Sequence, residues 1–72
     1  MDNNEELIQQ LNWVKYRLRM LDLIEEKLLK MKALACLVKD KEMDKEEIEN
    51  INLEIQRLAK EVNGLDEESR II

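Results

Sequence analysis

From Glu5 to Glu49 the chain contains no proline and no glycine, and Leu, Glu, Lys, Met, Arg and Ala fill most of the stretch. Nothing in it forces the backbone out of a helix, and these residue types lose little side-chain freedom in one. Leu7 to Val38 therefore reads as the body of one long helix over about residues 4–39, roughly 50 Å at ~1.5 Å per residue. In a chain of 72 residues, everything else must be arranged around that rod.

The apolar pattern indicates what the rod needs. Leu7, Leu11, Val14, Leu18, Leu21, Ile24, Leu28, Met31, Ala35 and Val38 recur at steps of three and four, the spacing of one face of a helix. Three consecutive members, Leu18, Leu21 and Ile24, are separated by three residues each time, which interrupts a strict heptad as a stammer does. A change of packing partner is expected there. A second group, Trp13, Tyr16, Met20 and Leu23, lies roughly opposite the first half of this stripe. A helix apolar on two sides is normally covered on two sides, so self-association is expected.

A second helix is marked by punctuation. Asp44 is followed three residues later by Glu47, with Met43 before it and Ile48 after it, which is a capping box with a hydrophobic staple available. Residues 40–44 are thus the expected turn, with one continuous helix through Lys39 to Lys45 as the alternative because no glycine or proline enforces a break; a short connection makes the helices antiparallel neighbours. The second stripe, Ile48, Ile51, Ile55, Leu58 and Val62, is an uninterrupted heptad, and Asn63-Gly64-Leu65 has the order of a glycine-terminated helix end. The spacing predicts helix two over about 45–63 and a frayed tail over 66–72. At that length it covers only about Ile24 to Val38 of helix one.

The fold class expected is all-α: one domain over 1–72, an antiparallel helical hairpin assembling as a coiled-coil or helix-bundle homodimer, with a tetramer as the variant. Small size supports the assembly, because a 72-residue monomer barely buries enough surface to offset its ordering entropy without outside help. The other usual sources of help are poorly supplied. There is no histidine, and the only cysteine is Cys36, so no disulfide within the chain and no Cys/His zinc site can form.

Charge and chemistry narrow the function classes. The net charge of -5 is concentrated in residues 46–72, with eight acids against three bases. A phosphate backbone is repelled by such a chain, so no nucleic-acid partner is expected. No apolar run of membrane-spanning length and no basic leader segment are seen; no membrane partner and a cytoplasmic location are the expectations, with the single thiol of Cys36 suited to a reducing compartment. No phosphate-binding loop, nucleophile elbow or calcium loop is present, Cys36 has neither a histidine nor a CxxC partner, and neither cofactor nor metal nor catalysis is expected. Ile51-Asn52-Leu53-Glu54-Ile55-Gln56 loosely resembles the Ser-Gln-Glu-Leu-Asp signature of the small sporulation aspartyl-phosphate phosphatases, themselves helical hairpins. Glu54 and Ile55 stand at its Glu-Leu pair; Asn52, Leu53 and Gln56 replace its Ser, Gln and Asp. The carboxylate on which that family's activity depends is thus missing, which leaves a phosphatase-like hairpin as a remote alternative.

What remains is a protein that works through a helical surface. The expected interface is Leu7, Leu11, Trp13, Val14, Tyr16, Leu18, Met20, Leu21 and Leu23, serving self-association in an adaptor or regulator. The alternative is a heteromeric module, of the antitoxin, chaperone or phage-type inhibitor kind, that binds another protein through the Trp13/Tyr16 face. Trp and Tyr beside Arg17 and Arg19 have the composition of a binding hot spot.

Overall fold

The computed structural model describes residues 3–71, and the side chains of residues 3–69. Two helices account for nearly all of it: α1, Asn3–Asp40, and α2, Lys45–Ile71. They fold back on each other as an antiparallel hairpin of 62 × 18 × 9 Å. Its radius of gyration is 18.0 Å, against about 11 Å for a compact chain of this length. One dimension is set by the length of α1, and the other two by a single layer of two helices.

The turn forms where the capping residues place it. Asp44 Oδ1 accepts a hydrogen bond from the Glu47 amide at 2.8 Å, and the Asp44 carbonyl accepts the first helical bond from Ile48 N at 3.1 Å. One of the otherwise unpaired amides at the start of α2 is satisfied by that side chain. Met43 and Ile48 are both half-buried, as a staple requires. At the other side of the turn α1 closes with Lys41 N donating to the Leu37 carbonyl at 3.1 Å. Asn3 is the first helical residue of α1, so the position that would cap it falls outside the described residues.

Helix α2 does not stop at Asn63. It continues through Gly64 to Ile71, for 27 residues. Gly64 has no positive φ, so it is an ordinary helical residue and not the left-handed cap that the Asn-Gly-Leu order suggests. A glycine inside a helix costs about 1 kcal/mol relative to alanine, and tertiary packing of the following two turns overrides that local preference. The heptad supplies the packing: Ile48, Ile51, Ile55, Leu58, Val62, Leu65 and Ser69 form one line at 3-4 spacing, and every member is half-buried or buried. The segment 66–71 is accordingly helical rather than a frayed tail. A side chain at 64 would meet nothing within 4 Å. Gly64→Ala should therefore stabilise the protein by about 0.5–1 kcal/mol, seen as a higher urea midpoint at unchanged slope. A lower midpoint would mean that the helix ends at 64 in solution.

The longer α2 reaches farther along α1 than helix two over 45–63 would. Its last turns lie beside Tyr16 and Arg17 instead of stopping near Ile24. Even so, the hairpin has almost no interior. Among the described residues only Leu58, at 3% exposure, and Ser69, at 1%, are fully buried, and no residue of α1 is. Near the turn the helices leave an open groove of about 490 Å³ lined by Lys30, Ala33, Leu34, Leu37, Glu54 and Leu58.

Candidate functional site

Helix α1 carries two apolar seams side by side, and the structure separates them. The covered seam is Tyr16, Arg17, Met20, Ile24, Lys27, Met31, Leu34 and Val38, all half-buried on the side of α2. The open seam is Leu7, Leu11, Val14, Leu18, Leu21 and Leu28, all exposed, with Leu7, Leu11 and Leu18 at 61%, 53% and 56%. From Arg17 and from Leu7 each line keeps an unbroken 4-3 heptad, because Glu25, Lys32 and Ala35 continue the open one. The stammer at Leu18, Leu21 and Ile24 is therefore not a feature of packing. It arises because the row of apolar residues alternates between the seams after Leu21: Ile24, Met31 and Val38 belong to the covered one, Leu28 and Ala35 to the open one.

The sequence hides this division because two covered positions are basic. Arg17 and Lys27 sit in the hairpin seam, where polarity argues against them, and each is held by α2. Lys27 Nζ donates to Glu61 Oε2 at 3.0 Å, and Glu61 Oε1 accepts from Arg57 Nη1 at 2.7 Å. Arg57 also grips Glu54 through Nε, at 2.9 Å, and through Nη2. At the far end Arg17 Nη1 donates to the Ser69 hydroxyl, which donates onward to the Asp66 carbonyl at 3.0 Å. Tyr16 donates to Glu68 Oε1 at 3.1 Å. Ser69 was legible only as part of a loose tail; continuing the 3-4 spacing from Val62 through Leu65 would have found it.

Of the expected interface residues, Leu7, Leu11, Val14, Leu18 and Leu21 are brought together on one exposed face. The Trp13, Tyr16, Met20 and Leu23 group is divided. Tyr16 and Met20 are half-buried on the hairpin side, which removes them as a free binding face, while Trp13 and Leu23 remain exposed at its margins. The cause is again the length of α2. Cys36 is exposed. Among the described residues no group of three or more His, Cys, Asp or Glu side chains is placed to hold a metal ion, and no helix is long and apolar enough to cross a membrane.

The ion-pair chain makes the hairpin sensitive to acid. The Lys27 hydrogen bond holds the Glu61 carboxyl below its ordinary value of 4.5, outweighing desolvation, with the Arg57 charge acting in the same direction. The Arg57 hydrogen bond does the same for Glu54. Both groups have folded values below their unfolded ones, so their stabilisation is present above about 4.5 and is lost as pH falls through the lowered values. Glu61→Gln should lose less stability than the parent between pH 6 and pH 3, measured by urea midpoints. Parallel curves would show that the pair is solvated and contributes nothing. At the opposite end of the scale Tyr16 is raised above 10.0, by desolvation first and then by its bond to Glu68, so its contribution persists until pH rises through that higher value.

Comparison with known families, characterised proteins and solved structures finds no match. Function must therefore be argued from the surface.

Proposed function

We propose that this chain is a non-enzymatic protein that self-associates through the open seam of α1 and acts as an adaptor or regulator by means of a helical surface. The observation that carries the reading is the row Leu7, Leu11, Val14, Leu18, Leu21 and Leu28, exposed beside a hairpin that buries a single apolar side chain among the described residues. Such a row remains in water at a cost of roughly 25 cal/mol per Å², and a soluble monomer rarely carries one this continuous.

Surface area supports the same reading. The chain exposes 6044 Å², where a compact monomer of 8.6 kDa exposes about 4,700 Å², an excess of about 1,300 Å². Stable dimers bury about 800 Å² per partner, and obligate ones more. Binding another protein through the Trp13/Tyr16 face is supported less well, since Tyr16 already holds Glu68 and Met20 lies on the hairpin side. Equilibrium sedimentation tests the proposal: the full chain should run at twice the 8.6 kDa chain mass or more at micromolar concentration. A folded species of one chain mass would overturn it.

A further inference from the structure

Resting on that self-association, we infer that the occupant of the open seam is a second copy of this chain laid antiparallel, with the two-fold axis passing between the two α1 helices at the level midway between Leu11 and Val14. In this register Leu7 of one copy lies beside Leu18 of the other, and Leu11 beside Val14; symmetry generates each pair twice, so that four apolar layers are complete.

Two features of α1 select this arrangement. The first is the composition of the open seam. It is wholly apolar from Leu7 to Leu21, and then carries Glu25 and Lys32 at seam positions. A parallel pair in register would set Glu25 against Glu25 and Lys32 against Lys32 inside the interface, where like charges cost several kcal/mol. The antiparallel overlap of about residues 3–22 leaves both outside it. The second feature is the charge along the same stretch. Its first turn is acidic, with Glu5 and Glu6, while the turns after Val14 carry Lys15 and Arg19, both exposed. A two-fold axis between Leu11 and Val14 places the acidic turn of each copy alongside the basic turns of the other. Parallel pairing would stack acid on acid and base on base. Within the overlap α2 covers Tyr16, Arg17 and Met20 on a different side of the helix and leaves Leu7, Leu11, Val14 and Leu18 exposed.

Cysteine cross-linking decides the direction. In a Cys36→Ser background, Ile8→Cys and Lys15→Cys place thiols on exposed positions that flank the open seam and face each other only in the antiparallel register. Neither variant alone should form a disulfide-linked dimer, because like positions lie about 7–13 Å apart along the axis. An equimolar mixture should convert about half of its dimers, the statistical share of mixed pairs, to the linked form. The pair Leu7→Cys and Leu18→Cys repeats the test within the seam. Linkage within the Leu7→Cys or Leu18→Cys variant alone would establish parallel packing, and dimers by sedimentation that never link would establish another surface. Either result overturns this inference and leaves self-association standing. A monomer of unlinked parent protein would overturn both.

Discussion

Leu58→Ala should lower the melting temperature by about 10–25 °C. Leu58 is the one fully buried apolar residue among those described, at 3% exposure, and it lies against the half of α1 nearer the turn, where it lines the groove with Leu34 and Leu37. Removing a buried leucine costs about 2–5 kcal/mol in lost transfer energy and residual cavity. In a domain of this size each 1 kcal/mol moves the midpoint by about 4–8 °C. The groove lined by Leu34, Leu37 and Leu58 already leaves one side of the site open, which allows some collapse and places the cost toward the low end. Leu53→Ala is the matched control: Leu53 is 64% exposed on the outer side of α2, and its loss should move the midpoint by less than about 3 °C. Melting curves followed by circular dichroism at 222 nm measure both. Equal shifts for the two variants would show that the hairpin has no core of its own.

A single charge in the open seam should have the largest effect on assembly. Leu11→Glu removes apolar burial worth about 1.5–3 kcal/mol and asks a carboxylate to leave water, and two-fold symmetry imposes each change twice. The association constant should fall by at least 100-fold, since about 1.4 kcal/mol is one factor of ten. Glutamate forms helices nearly as well as leucine, so the loss is not one of helix propensity. Leu18→Glu should behave alike, while Leu53→Glu, on α2 and more exposed at 64%, should leave the association constant within about twofold. Dilution series by sedimentation velocity provide the constants. Weakening by Leu53→Glu alone would move the interface to α2 and overturn the assignment of the open seam.

With only one buried leucine among the described residues, the proposed cover over Leu7 to Leu21 should add to the hairpin's stability, and the midpoint of the parent should then rise with protein concentration. The Leu11→Glu variant should lose that concentration dependence.

The sequence by itself determined the body of α1 and the start of α2. The absence of proline and glycine from Glu5 to Glu49 specifies α1, and Asp44 with Glu47 and Ile48 specifies where α2 begins, because these are local effects of backbone freedom and amide capping. The line Ile48 to Val62 likewise announced the covered face of α2. Only the tertiary structure decided where α2 ends and which face of α1 it covers. Gly64 is locally a helix terminator, and what overrides it is the packing of Leu65 and Ser69 and the bonds from Tyr16 and Arg17, all supplied by residues about 50 positions earlier in the chain. The division of α1 into two seams was hidden for the same reason. Arg17 and Lys27 fit a covered face only once Ser69 and Glu61 are opposite them, and a pattern of apolar residues cannot register a charge that is satisfied across a helix pair.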